Sequence, residues 1–353
     1  MTGVLTVARL EFTVRVRAGR WRWLLGGWFV ILVIFTVLLR LAIGHAQDLA
    51  SSRGTVMYGG LELFQLALAL LVMPALTGQS VNGDRERGTL GVLQVTKLSA
   101  FDIAAGKLLA AWGTACVFLL TSAPLVAWSM LEGGVPVIRV VVVSIVVAVL
   151  LWVICAVSLG LSSVLSRSTT SSVLSYLFVF GLTIGTVILF GLSTALTVNS
   201  DGTHSNETWW LLAPNPFVIL ADAAPVAPVP PPHCRRISGA LTPGTLPNSV
   251  VTPLPGSSSS GSVNSTVEFC DSESMVDPLG SISRSVRDLR TGPGEPVSSA
   301  PYRAGLGPTV PRGGLVWPYG LGFDLGLGGF MLFVTTKKLE SPRRHLPRGV
   351  RLA

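Results

Sequence analysis

The sequence predicts an all-α integral membrane protein: six transmembrane helices, an N-terminal interfacial helix and a long, largely disordered external loop. Its 353 residues are 49% hydrophobic and only 12% charged, with a mean hydropathy of +0.61. Soluble domains carry about 25% charged residues, so this composition favours a chain that lies in a bilayer. The net charge of +8 lies mainly beside the apolar runs, which indicates orientation in the membrane rather than binding to nucleic acid.

The first 20 residues mix apolar side chains with four arginines, and we expect a cytoplasmic helix lying in the membrane interface. Residues 10–17 also alternate with period two, which is a strand pattern. A lone strand beside a membrane would have no partner, so the helix is favoured. No cleavable signal peptide is evident, because the first apolar run begins only near Trp21 and is too long.

Six apolar runs follow, each near the 20 or so residues that a helix needs to cross a bilayer. We expect the spans at 21–43, 56–76, 107–130, 137–165, 171–198 and 315–336. Pro74 and Pro124 lie inside the second and third spans. The sixth gives the weakest signal, since it is rich in glycine and carries Asp324. An even number of spans places both termini on one side of the membrane.

Basic residues predict which side that is. They are abundant in the N-terminal segment, in the loop 83–107 and in the tail 337–353, whereas the short loops on the other side offer little beyond Arg53 and Arg139. By the positive-inside rule, we expect both termini and the loop 83–107 to be cytoplasmic, in a protein of the plasma membrane.

The segment 199–314 should then be external. Its start, 207–217, carries two tryptophans and favours an interfacial helix or a re-entrant dip. From Pro225 onward proline, serine, glycine and threonine dominate, with too little apolar surface to offset the entropy of ordering, so we expect most of it to be disordered. One short amphipathic helix is predicted over 281–290.

The four cysteines fall into two pairs. Cys116 and Cys155 lie inside predicted spans and are expected in the core. Cys234 and Cys270 lie in the external segment, where disulfides persist. A bridge between them would close a loop of roughly 35 residues and contribute about 3–4 kcal/mol on the chain-entropy model. Two unpaired thiols are the alternative.

The loop between the second and third spans has the most informative pattern. Thr89 can cap a short helix, and Ser99 with Asp102 has the spacing of a capping box for the next helix. So polar a loop must face water. It could be a plain solvated connector. The full pattern is Asp84-Arg85-Glu86-Arg87-Gly88-Thr89-Leu90, Leu93, Ser99, Asp102-Ile103 and Gly106-Lys107-Leu108-Leu109-Ala110.

This pattern resembles the signature of ABC-2 type exporter permeases, in which an acidic and basic run precedes Gly-Thr-Leu and a Gly-Lys pair opens the third transmembrane helix. The sequence departs from the family at Gly91, where an acidic residue is usual, and at Lys97, where proline is usual. The resemblance implies a coupling helix at 84–98 that docks onto a separate cytoplasmic ATPase. It also implies two ATPase copies that carry ATP and Mg, and a second permease subunit, identical or paralogous. The ATPase-coupling residues would be Asp84, Arg85, Glu86, Arg87, Gly88, Thr89, Leu90 and Leu93.

We expect no enzyme activity and no cofactor in this chain. Gly106-Lys107 lacks the upstream glycine spacing and the hydroxyl residue of a phosphate-binding loop. The four histidines are scattered, so neither a metal site nor catalytic residues are predicted. ATP-driven work therefore needs a partner.

Ionisable side chains inside spans are candidates for function, because a charge at mid-bilayer costs about 3 kcal/mol. Glu62 with Gln65, and Asp324, are expected either to line a substrate pathway or to make structural polar contacts. Two other functions stay open. Glu62 and Asp324 could be the proton sites of an ion-coupled secondary transporter, or the chain could be a non-transporting membrane sensor or anchor. The sequence does not identify a substrate.

Overall fold

The structure is a computed structural model and describes residues 2–17, 19–45, 53–86, 88, 98–196, 205–225, 233–238, 266–271, 277–291 and 314–340. Helices dominate this part of the chain. The first seven are α1 (Thr2–Arg17), α2 (Arg20–His45), α3 (Arg53–Thr77), α4 (Asn82–Glu86), α5 (Ala100–Thr121), α6 (Ala123–Leu131) and α7 (Val137–Val164).

The second half of the chain adds shorter elements around two further long helices. They are α8 (Ser168–Phe180), a π-helical turn (Gly181–Gly185), α9 (Thr186–Leu196), α10 (Ser205–Thr208), a 3₁₀ turn (Trp209–Leu211), α11 (Pro216–Ala223), β1 (His233–Ser238), β2 (Thr266–Asp271), α12 (Pro278–Thr291) and α13 (Trp317–Leu339).

Five helical stretches are long and apolar enough to cross a membrane, which confirms the prediction of a helical membrane protein at this level. They are Trp21–Gly44, Arg53–Glu86, Ala100–Leu131, Val137–Val164 and Ser168–Leu196. The sixth predicted span is present as the helix α13, but it is not among the five. Its glycines and Asp324 dilute its apolar content, so the six-span topology stays a prediction.

The centre of the bundle is α7, whose valine- and leucine-rich sequence is buried along most of its length. It packs against α3, α5 and α8, and most extensively against α13. The close approach to α13 depends on Gly328, where a Cβ atom would lie 2.9 Å from the ring of Trp152. Small residues permit such close packing of membrane helices. The glycines of α13 therefore lower its apolar content but allow it to pack closely against α7.

The helices α2, α8 and α9 lie at the periphery. In each of the stretches Trp21–Gly44 and Ser168–Leu196, only 17% of the most apolar 18 residues are buried in the protein. Apolar side chains such as Leu38, Val173 and Ile188 therefore point outward. These faces suit lipid hydrocarbon, where a helix satisfies its own backbone hydrogen bonds.

The π-helical turn between α8 and α9 is held by Asn215, the N-cap residue of α11. Asn215 Nδ2 donates to Thr183 O at 2.7 Å and to Thr186 Oγ1 at 2.9 Å. Its side-chain oxygen accepts a hydrogen bond from Phe217 N at 3.0 Å. A single amide thus caps one helix and stabilises the irregular turn of another.

The N-terminal segment is a helix, α1, and not a strand. It packs along α5, and the two helices approach most closely at Gly106, where a Cβ atom would lie 2.6 Å from Val7 Cβ. Only glycine permits this distance. The end of the bundle where α1 packs against α5 is called the Lys107 end below.

The segment predicted to be external contains more structure than the composition suggested. The helix expected over 281–290 is present as α12, which packs against α11 and α3, and β1 pairs antiparallel with β2. The disorder expected for 199–314 falls largely on 226–232, 239–265, 272–276 and 292–313, which lie outside the described residues. That expectation stays a prediction.

Asp222 joins α11, α12 and the start of α13, at what is called the Asp222 end. Its Oδ1 accepts from Ser283 Oγ at 2.9 Å and from Arg287 Nε at 2.5 Å. Its Oδ2 accepts from the backbone N–H groups of Val316 and Trp317 at 2.7 and 2.8 Å. The carboxylate is fully buried, so these four donors are what make its charge tolerable there.

We expect Asp222→Asn to lower the free energy of unfolding by about 3 kcal/mol, because it leaves Arg287 without its buried counter-charge. Thermal unfolding in lipid nanodiscs, followed by tryptophan fluorescence, measures the loss. Asp288→Asn is the matched control, since Asp288 lies on the exposed face of α12 and should change stability little. Equal melting temperatures for the two variants would contradict the role of Asp222.

We also expect a disulfide between Cys234 and Cys270, because the strand register places these two residues directly opposite each other. Opposed Cα atoms in antiparallel strands lie about 4.5–5.5 Å apart, within the range that a disulfide spans. Non-reducing peptide mapping should recover the linked peptides, while Cys116 and Cys155, which are free, stay alkylatable. Alkylation of all four cysteines without reductant would rule the bridge out.

Candidate functional site

Lys107 is the centre of a charge cluster at the Lys107 end of the bundle. It lies two turns inside α5, its side chain is 1% exposed, and its Nζ donates to Glu11 Oε1 and to Asp84 Oδ2. These carboxylates come from α1 and α4, so one ammonium group joins three segments that are distant in sequence. Desolvation of the ammonium is offset by two opposite charges.

The helix α5 begins earlier than the predicted span 107–130. Ser99 Oγ accepts from Asp102 N at 3.1 Å, and Ser99 N donates to Asp102 Oδ2 at 3.1 Å. This is the capping box that the spacing predicts. Gly106-Lys107 therefore does not open the helix, because the cap at Ser99 satisfies the first N–H groups two turns before it.

The segment after α3 is attached to the end of α7. Ser162 Oγ accepts hydrogen bonds from the backbone N–H groups of Val81 and Asn82, both at 3.2 Å. The guanidinium of Arg85 donates to Ser163 O at 3.0 Å and to Leu165 O at 3.3 Å. Arg85 thereby reaches carbonyl groups at the end of α7 that have no partner within the helix.

The predicted ATPase-coupling residues thus separate into groups. Asp84 and Arg85 bond to the protein itself, whereas Glu86 is exposed. Gly88 is exposed and has a φ of 70°, a left-handed conformation that glycine adopts without strain and that ends α4. The remaining predicted coupling residues lie outside the described residues: Arg87, Thr89, Leu90 and Leu93.

A half-open pocket of about 310 Å³, called the cavity below, lies on the side of the bundle between α3, α5, α6 and α7, and some of its lining residues, such as Leu120 and Ser144, are exposed. Glu62 and Gln65 enter it from one face of α3 and are 3% and 2% exposed. The Gln65 Oε1 atom is buried without a hydrogen-bond partner. The other lining residues are mostly apolar: Leu119, Leu120, Ser122, Ala123, Val126, Ala127, Met130, Val140, Ser144 and Val147.

Further buried polar atoms without partners continue from this cavity toward the Asp222 end. Tyr58 lies one turn from Glu62 on the same face of α3, its hydroxyl is buried and unpaired, and it lies within electrostatic range of Glu62 and Arg139. Arg139 is 1% exposed and binds Asp277 at 2.7 Å, but its Nε and Nη1 have no partner. Each such group costs about 1–3 kcal/mol, so this polar track is a candidate functional feature.

The structure brings together two of the three predicted pathway residues. Asp324 is buried on α13, 1% exposed, with its Oδ1 unpaired, but it does not line the cavity. Sequence reasoning treated Arg139 only as an orientation charge and gave Tyr58 no role. The partner of Arg139 is 138 positions away in sequence, and only the i, i+4 spacing of Tyr58 and Glu62 could have indicated the track.

Within the described part of the chain, no group of three or more His, Cys, Asp or Glu side chains could hold a metal ion. Neither a scan of protein-family models nor a search of curated proteins finds a match to the chain. The resemblance to ABC-2 permeases therefore depends on the motif in the loop after α3.

We expect Lys107→Met to lower the free energy of unfolding by about 3 kcal/mol, because Glu11 and Asp84 would then face each other without a cation. The N-terminal helix should also become sensitive to protease. Lys337→Met is the matched control, since Lys337 pairs with Glu340 on an exposed surface, where such pairs contribute about 0–1 kcal/mol. Unchanged melting and unchanged cleavage of α1 would contradict the role of Lys107.

Proposed function

We propose that the chain is the transmembrane permease subunit of an ABC-2 type ATP-driven exporter. In this proposal it has six spans and cytoplasmic termini in the plasma membrane. It pairs with a second permease subunit, identical or paralogous, and couples ATP hydrolysis by two copies of a separate ATPase to export. The chain itself carries no ATPase site, and ATP with Mg belongs to the partner.

One observation carries the proposal: the first two residues of the segment that resembles a coupling helix, Asp84 and Arg85, are bonded to helices that line the cavity. Asp84 reaches α5 through Lys107, and Arg85 reaches α7 through two carbonyl groups. The segment itself continues from α3. Since α3, α5 and α7 form three walls of the cavity, a push on 84–98 would be transmitted to those walls.

The exposed position of Glu86 supports its assignment as a docking charge. A partner subunit can reach it without breaking any bond that anchors Asp84 or Arg85. In the proposed cycle, closure of the two ATPases displaces the loop and shifts the permease between access states, as a rigid-body movement of packed helices. The mostly unburied faces of α2 and α8–α9 are free for lipid and for the second permease.

Replacing Glu86 and Leu90 together by alanine should uncouple ATP hydrolysis from transport without unfolding the spans. We expect binding of the proposed partner ATPase to fall by about tenfold or more. The measurements are co-purification from nanodiscs and ATP-dependent efflux, with the melting temperature as a check on folding. Glu340→Ala is the control, because Glu340 is exposed and pairs with Lys337 at the end of α13. Survival of transport in the double variant would show the docking assignment to be wrong.

A secondary transporter remains the second candidate, because Glu62 and Asp324 are both buried carboxylates inside apolar helices. Such groups are typical of proton relays in membranes. A secondary transporter would lose activity on collapse of the proton gradient while ATP is maintained. The exporter proposed here would lose activity on ATP depletion while the gradient is maintained.

A further inference from the structure

We propose that the cavity between α3, α5, α6 and α7 binds an organic monocation, a molecule with an ammonium head group on a compact apolar body. That such a cation is the substrate rests on the proposed transport function. Binding of the cation to the cavity can be measured on this chain without any ATPase.

The shape of the cavity sets the size of the ligand. At about 310 Å³ it lies at the lower end of the range for small-molecule sites. Its walls are hydrocarbon over most of their area, with Leu119, Val126 and Val147 from three different helices. Met130 adds an unbranched side chain that adapts to irregular shapes. An apolar body of one ring or a short chain therefore fits better than a sugar or a peptide.

The polar groups of the cavity select the head group. Glu62, when ionised, can only accept hydrogen bonds, and Gln65 offers an acceptor oxygen without a partner. Both line the cavity from one face of α3, one turn apart, and both are almost fully buried, so a single head group would have to enter between them to bond to both. The ligand must therefore supply donors, and an ammonium group supplies up to three.

The charge of the head group follows from what the cavity lacks. Among the described residues that line it, none is lysine, arginine or histidine. Arg139 belongs to the polar track beyond the cavity and does not line it. A ligand in the cavity can therefore provide the positive partner that an ionised, buried Glu62 requires. An anionic ligand would meet Glu62 without compensation. A neutral ligand would satisfy Gln65 but not a charged Glu62.

Three probes with the same body test this directly: phenylbutylamine, phenylbutanol and phenylbutyrate. The amine is cationic at neutral pH, since alkyl ammonium groups titrate near the lysine value. Calorimetric titration into nanodiscs that contain the permease, with empty nanodiscs subtracted, gives the affinities. We expect the amine to bind at least about tenfold more tightly than the alcohol, and the acid not to bind.

Two variants locate the binding. Glu62→Gln should abolish the preference for the amine while keeping binding of the alcohol, which also shows that the cavity is intact. Val126→Trp should fill the cavity and abolish binding of both. Glu132→Gln is the charge-matched control, because Glu132 pairs with Arg40 outside the cavity and should leave the preference unchanged.

Each other outcome overturns the proposal. Absence of binding by all three probes, or equal affinity for amine and alcohol, would show that the site does not select a cation. A preference for the amine that persists in Glu62→Gln would show that Glu62 is not the group that selects it. Equal affinity would instead indicate a protonated Glu62 that recognises hydroxyl groups. If the amine binds but no ATPase associates with the chain, the binding site stands and the exporter proposal fails. If an ATPase associates but the amine does not bind, the exporter proposal stands and the binding site fails.

Discussion

A buried ammonium group determines how one end of this protein is assembled. Glu11 and Asp84 meet the buried Lys107 from two other segments, and their charges offset the desolvation of its ammonium group. The N-terminal helix, the start of the loop after α3 and the helix α5 therefore keep a common position. The close approach at Gly106 makes that position sterically possible. The adjacent residues Gly106 and Lys107 therefore both specify the contact between α1 and α5.

The Asp222 end of the bundle follows the same principle, and the middle does not. At the Asp222 end, Asp222 and the pair Arg139–Asp277 fix α12 over the ends of the long helices. Between the two ends lie a cavity and a row of polar atoms without partners, including those of Tyr58 and Gln65. This contrast fits the proposed exporter, in which the partner ATPase would push on the Lys107 end and a ligand would bind in the centre.

The sequence was sufficient for features that depend on local chemistry. Hydrophobic runs predicted the long helices, the Ser99–Asp102 spacing predicted a capping box, and the amphipathic pattern at 281–290 predicted α12. It was insufficient wherever two distant residues define a feature. Arg139 lies 138 positions from Asp277, and the pairing of β1 with β2 lay in a region whose composition indicated disorder. No sequence signal connects Arg139 with Asp277, and only the possible bridge between Cys234 and Cys270 connects the two strands.

The π-helical turn at Gly181–Gly185 has a consequence for the surface that the protein presents to its surroundings. One extra residue in a helix turns every following side chain by about 100° around the axis. The residues before the turn can thus seat Ser171, Ser175 and Val179 in the protein, while no residue of α9 is buried. The amide of Asn215 holds this change of face in place through its bonds to Thr183 and Thr186, so the outward orientation of α9 depends on a residue 29 positions after Thr186.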